Sequence, residues 1–532
     1  MCILSLVYQK NKNTKKIFFL ILGFVFIVFL FTSDGHRYTI DEFHAQEMAF
    51  RMTTLEPDPA YVDGESKFFF NVPIYNPQNV GPLCTNAITC YPASVFYSAT
   101  EVPFIAINHY FHIITDDTLI LSIDDFTSPH YIFWRNSQNV DLVFMELTYG
   151  PFFSALSVAI FFLICLEHKF SRNISIILTL LLAFSALIWA YSGTSLNVVP
   201  ALLFLLLGYL FFKKFQRLHQ NKLLLFSSAF MGFAFLLRTD VILFIIPIWL
   251  FLLTTVLKRN VKINSLFLYS IPLLFSYFVI NYMPSLRSTA SSEDIATSSV
   301  NYLAYSVYFL TRSAEVLFVP MFGILFSPGV GLLIFAPILL TIFFSFPDFF
   351  RKSKSDCILL LSFFALNILY HIALTSAWHG LVSWGPRYLI LMIPFLLLPL
   401  GASMEKRNKH LMFLIIIILG IIGAFFNLIY SIQDISWFVW SFPGSNLGLY
   451  GLGAGPPSSP LYLHPDTIWT FQFSQLTQSV LLAFEGLEHD IYLLHVLGSF
   501  AYVVFFVFPL SLLSYLFLRV IRYDKISTDN SL

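Results

Sequence analysis

Apolar runs of bilayer-spanning length constrain this chain more than any other feature. A transmembrane helix needs about 20 consecutive apolar residues. Runs suited to that role recur near residues 17–32, 145–166, 174–191, 197–212, 222–237, 241–257, 263–282, 329–347, 357–376, 388–403, 410–431 and 493–518. Composition agrees: of 532 residues 57% are hydrophobic and 11% charged, against about 25% charged in a soluble domain. The expected fold is an all-α polytopic membrane protein of about twelve transmembrane helices, with a folded outer loop between the first two. The formal net charge is zero, so bulk electrostatics implies no nucleic-acid partner.

The connecting charges set an orientation. Alternate connectors carry Lys10, Lys12, Lys15 and Lys16; Lys169 and Arg172; Lys213, Lys214, Arg217 and Lys222; Lys258, Arg259 and Lys262; Arg351, Lys352 and Lys354; Lys406, Arg407 and Lys409; and Arg519, Arg522 and Lys525. Most of the 30 basic residues thus fall on one side, which the positive-inside rule makes cytoplasmic, together with both termini. Lysines precede the first apolar run and no small-residue cleavage pattern follows it, as in an uncleaved signal anchor. The chain divides into a cytoplasmic N-terminus and first span (1–32), a large outer loop with an interfacial helix (33–144), a transmembrane core (145–431), a second outer loop (432–492), and a last span with a cytoplasmic tail (493–532).

The other side keeps Arg37, Arg51, Lys67, Arg135, Arg238, Arg287, Arg312 and Arg387, with most of the acidic residues. Its first segment is too long for a simple connector, since structureless loops beyond about 15 residues are uncommon. Cys84 and Cys90 lie in it, as a disulfide or as two free thiols, while Cys2, Cys165 and Cys357 have no evident partner. Asp116, Asp117, Asp124 and Asp125 form two acidic pairs whose spacing matches no calcium loop, so they suit a solvated face. There is no internal repeat, no Gly-rich nucleotide loop and no tight His/Cys metal spacing. No cofactor is expected, and a divalent metal is left open.

Four stretches carry candidate chemistry. Tyr38 to Met52 puts Asp41 and Glu42 just beyond the first span, with Ala45, Met48, Ala49 and Met52 spaced for an amphipathic interfacial helix. The same residues suit a helix start, since Thr39 and Glu42 stand three apart as in a capping box. Arg238 and Asp240 fall between two apolar runs, either as a functional ionisable pair or as a structural turn. Trp378, His379 and Gly380, followed by Trp384, Gly385, Pro386, Arg387 and Tyr388, offer a guanidinium suited to phosphate, or an aromatic interfacial anchor. Finally, Pro328 and Gly329 open an apolar helix.

A carboxylate pair and a few arginines at one membrane face would serve a lipid-linked phosphorylated donor. Arginine would hold the phosphate leaving group and a carboxylate would take the acceptor proton. These four stretches, in this order, resemble the multi-spanning GT-C glycosyltransferases, which include protein mannosyltransferases and lipid A aminoarabinose transferases. In that superfamily the first outer loop carries a catalytic Asp, and in these members the donor is a polyprenyl-phosphate sugar. The resemblance implies that Asp41 is the general base with Glu42 beside it, that transfer inverts the sugar carbon, and that the acceptor is a protein, lipid or glycan. Charge and placement add Arg387, Arg238 and Tyr388 as donor-phosphate ligands, with Asp240, His379 and Trp384 as further site candidates. A transporter or lipid flippase is the alternative; it would favour ionisable residues near the midplane and a visible repeat. A non-catalytic scaffold would leave Asp41 replaceable.

Overall fold

The computed structural model describes residues 12–35, 40–54, 95–115, 139–259, 261–287, 314–374, 383–406, 410–433, 465–484 and 489–529. Every regular element among them is helical. Nine of these helices are long and apolar enough to cross a membrane, and three shorter apolar ones, Arg172–Ser185, Asn221–Leu237 and Leu317–Phe326, accompany them. This is the all-α polytopic architecture that the apolar runs foretell.

In chain order, α1 (Lys12–Phe31) is the first span, α2 (Ile40–Thr54) and α3 (Val95–Phe111) follow it, and α4 (Val140–Glu167) is a long second span. After α5 (Arg172–Leu180), a π-helical turn and the short α6 (Ile188–Ser192), the chain forms α7 (Val198–Leu218), α8 (Asn221–Leu237), α9 (Ile242–Leu257) and α10 (Ile263–Arg287). Then come α11 (Ala314–Phe326), α12 (Leu332–Phe335), α13 (Ile342–Lys352), α14 (Lys354–Leu374), α15 (Ile393–Met404), α16 (His410–Ser431), α17 (Pro465–Trp469), α18 (Gln475–Phe484) and α19 (Tyr492–Asp529). The expected span at 329–347 is broken rather than continuous. Gly331 caps α12, which ends after one turn, and Pro337 starts a 3-10 segment before α13. Pro328 and Gly329 do not open the helix; Gly329 donates its N–H to Ile468 O at 3.0 Å, and a Cβ there would lie 2.2 Å from Thr467 O. Helix α11 lies between the apolar runs at 263–282 and 329–347, outside every run expected to span.

Spans α4 and α7 are buried along most of their length, whereas α10 and α19 face outward. Those outer helices expose Phe267, Phe275, Phe505 and Phe508, large apolar side chains that suit lipid and not water. Inside, Tyr209, Phe244, Phe363 and Phe395 interlock with ring centroids 5.0–5.4 Å apart. Such pairs add about 0.5–1.5 kcal/mol each beyond area burial.

One end of the bundle is a belt of paired charges. Lys213 and His168 meet Asp356 at 2.7 and 3.4 Å, Arg217 meets Glu167 at 3.2 Å, Lys352 pairs with Glu405, and Lys406 pairs with Asp348. These contacts tie α4, α7, α13, α14 and α15 at a common level. The belt therefore marks where the apolar slab ends.

Candidate active site

At the far end, the residues between α5 and α7 act as a tie-piece. The chain leaves helical geometry at Ala186 (φ −117, ψ 162) and runs against α4 at Gly150. A Cβ on that glycine would stand 2.3 Å from Ser192 O and 2.5 Å from Thr194 O, so the backbones can approach this closely only where no side chain intervenes.

This connector reaches each neighbouring element by hydrogen bonds. Trp189 Nε1 donates to Thr32 Oγ1 at the end of α1 (2.9 Å), and Tyr191 OH donates to Trp384 O (3.0 Å). Ser195 N–H donates to Glu42 Oε1 at 3.0 Å, Gln46 Nε2 donates to Ser195 Oγ at 3.0 Å, and Tyr97 OH donates to Ser195 O. Asn197 Oδ1 accepts from Arg238 Nη1 at 3.3 Å. Carboxylates and cations are thus gathered around one segment of about ten residues.

The carboxylate side is built by α2, α3 and α4. Asp41 stands in the first turn of α2; its side chain lies outside the described residues. Ala45, Met48 and Ala49 are buried, as their spacing predicts, and Glu42 and Gln46 are buried beside them. Gln46 Nε2 also donates to Glu146 Oε1, which accepts from Ser195 Oγ at 3.3 Å. Glu42, Glu101 and Glu146 are all fully enclosed, an expensive arrangement unless hydrogen-bonded.

The cation side contains Arg238, Asp240, Arg387, Tyr388 and Trp384. Arg238 grips Asp240 through Nε (3.0 Å) and Nη2 (2.5 Å), a bidentate pair that occupies most of its fork. His371 Nε2 is 4.0 Å from the same carboxylate and stacks on Tyr388 at 5.1 Å and 9°. The Arg387 guanidinium lies 5.1 Å from the Tyr388 ring centroid, with Nη2 3.4 Å from Tyr388 OH. Arg387 pairs with no carboxylate among the described residues, and its buried Nε has no hydrogen-bond partner. Trp384 is not an interfacial anchor: it is fully buried, between Phe335 (4.8 Å) and Tyr430 (4.6 Å). Gly385, at φ +62, turns the chain into that slot, where a Cβ would meet Phe335 at 2.9 Å.

Helix rise places the cations in depth. From Arg387 through the 3-10 turn Arg387–Met392 and α15 to Glu405 is about 30 Å, and from Arg238 to Lys258 is about the same. That equals the hydrocarbon thickness of a bilayer, about 30 Å, so both arginines sit at the level of the opposite headgroups. Along α13, α14 and α15 an apolar groove of about 470 Å³ descends between Leu333, Phe343, Leu361, Phe364, Phe395 and Pro399.

Sequence reasoning found Glu42, Arg238, Asp240, Arg387, Tyr388 and Trp384 but missed Gln46, Tyr97, Glu101, Glu146, Ser195, Asn197 and His371. Glu146 and Glu101 could have been flagged as acids inside apolar runs; nothing local marks Ser195. His379, Cys2, Cys84, Cys90, Asp116, Asp117, Asp124 and Asp125 lie outside the described residues. Cys165 and Cys357 are buried free thiols. Among the described residues no three His, Cys, Asp or Glu side chains stand where they could hold a metal ion.

Residues 149–283 match the family model of the dolichyl-phosphate-mannose-protein mannosyltransferases, a GT-C type family. The matched stretch contains the connector, Gly150, Arg238 and Asp240. No curated protein matches the chain. Together with the helical architecture, the family match supports a multi-pass membrane glycosyltransferase.

Proposed function

We propose that this GT-C membrane glycosyltransferase moves a sugar from a polyprenyl-phosphate donor to an acceptor hydroxyl, at the membrane face opposite the charge belt. The observation that carries the reading is Arg387: a guanidinium at headgroup depth, 5.1 Å from the Tyr388 ring centroid, with a buried Nε open for an acceptor atom. The helix that follows it lines the apolar groove, so a donor phosphate at Arg387 would let its isoprenoid tail lie along α15. The belt, rich in lysine and arginine, is then the cytoplasmic side.

In this reading the Asp41 carboxylate takes the proton of the acceptor hydroxyl as its oxygen attacks the anomeric carbon. The bond from that carbon to the phosphate oxygen breaks on the opposite face, inverting the centre, and the leaving polyprenyl phosphate keeps the bonding electrons. Arg387 stabilises the charge that develops there. Arg238 holds Asp240 and Asn197, and through them the geometry of the connector, more than it holds phosphate. Glu42, fixed by the Ser195 N–H, positions the first turn that carries Asp41.

The test is incubation of purified protein in lipid nanodiscs with polyprenyl-phosphate mannose labelled in the sugar, with candidate peptide, glycan and lipid acceptors, with and without chelator. Release of polyprenyl phosphate with label on one acceptor class supports the reading. Retention of all label on the donor with every acceptor class overturns it.

A further inference from the structure

The helix α3 is inside out for a water-exposed loop. Its buried residues are Tyr97, Ser98, Glu101, Ile105 and Asn108, so the polar side chains turn inward. Its outward stripe is Ala99, Pro103, Ile107, Tyr110 and Phe111, with Tyr110 and Phe111 exposed by 68% and 75%. No Asp, Glu, Lys or Arg stands on that stripe. A helix with this pattern meets apolar surroundings on its outer side, with its ionisable residue facing the bundle.

Its depth points the same way. Thr100 hydrogen-bonds Tyr149 at 2.7 Å, Phe104 packs on Phe152 and Phe153 at 5.6 and 6.0 Å, and Asn108 and His109 hold Asp141 at 2.8 and 3.0 Å. Helix α3 therefore runs antiparallel along the first half of α4. Measured from Glu167 in the charge belt, a hydrocarbon slab of about 30 Å reaches about 20 residues along α4, to the neighbourhood of Leu147. Tilt of α4 would extend the slab further along it. The N-terminal half of α3 falls inside that boundary and His109 just outside it. Phe152, exposed on the spanning helix α4, continues the outward stripe of α3.

We propose that α3 is a re-entrant helix seated in the bilayer, with lipid acyl chains as the partner of its outward stripe. Among the described residues it then stands between lipid and the enclosed Glu101 on its inner face. This holds whatever the enzyme transfers, because it rests on burial and depth alone.

The test is site-specific photocrosslinking of the full chain in nanodiscs of phosphatidylcholine. A benzophenone-bearing phenylalanine analogue replaces Ala99, Ile107 or Phe111 in turn, none of which faces the carboxylates. The same analogue at Phe267 of the lipid-facing α10 and at Gln220 in the connector after α7 gives the two references. Acyl-chain adducts at Ala99 should match Phe267 and exceed Gln220 about tenfold, with yields falling at Ile107 and again at Phe111 as the stripe approaches the headgroups. Adducts to other parts of the chain, or acyl yields at the Gln220 level, would overturn the proposal. Crosslinking leaves the fold intact at exposed positions, and size-exclusion elution of each variant verifies this.

Discussion

Replacing Gly150 by Ala tests whether the connector holds the site together. The added Cβ would stand 2.3 Å from Ser192 O and 2.5 Å from Thr194 O, where ordinary contact begins at 3.4 Å. The connector backbone must retreat by about 1 Å, since no rotamer can relieve a clash with main-chain atoms. Overpacking of this kind costs about 1–3 kcal/mol. Ser195, three residues on, would carry the shift to Glu42 and Gln46 through hydrogen bonds of 3.0 Å each. A misplacement of about 1 Å in catalytic geometry costs on the order of a hundredfold in rate. Gly193→Ala is the matched control, because its Cβ would meet only Asp34 Oδ2 at 3.8 Å, an ordinary contact. Sugar transfer and thermal unfolding in nanodiscs should therefore separate the two variants, with Gly150→Ala slow and less stable and Gly193→Ala near wild type. Equal rates for Gly150→Ala and wild type would refute the role given to the connector.

Three further outcomes follow from the same geometry. Arg387→Ala should lower kcat/KM for the lipid-linked donor about a hundredfold, and Arg387→Lys should recover part of it because charge returns without the planar fork; steady-state kinetics checks both. Leu361→Trp, on the groove wall, should raise KM for a long-chain polyprenyl donor while leaving a short-chain analogue unaffected, measured with the two donors side by side. Lys213→Ala should destabilise the fold by about 3 kcal/mol because it leaves Asp356 enclosed beside His168, a loss read in chemical denaturation with transfer kinetics unchanged in the surviving folded fraction.

What was legible in the chain and what was not follows from the range of the interactions. Hydropathy marks spans such as α4, α7 and α16 because lipid selects on local composition. It could not show that the run at 329–347 breaks at Gly331 and Pro337, since whether a helix there is continuous depends on packing against distant elements such as α16. Arg238 and Asp240 were visible as a pair two residues apart, and the structure closes that pair. Helix α3 was hidden because its polar residues, spaced to face inward, lower the average that a hydropathy reading depends on. The connector was invisible for a stronger reason: Ser195 acts through its own N–H and C=O toward residues 153 and 98 positions away. Trp384 misled because a Trp beside a Pro and an Arg suits a headgroup anchor, whereas Gly385 folds it into the core.

Asp41→Asn separates donor binding from removal of the acceptor proton. In nanodiscs with labelled polyprenyl-phosphate mannose and the acceptor class that wild type uses, the variant should bind donor with wild-type affinity and transfer no sugar above background. Transfer at the wild-type rate by folded Asp41→Asn protein would contradict the role of Asp41 as the base.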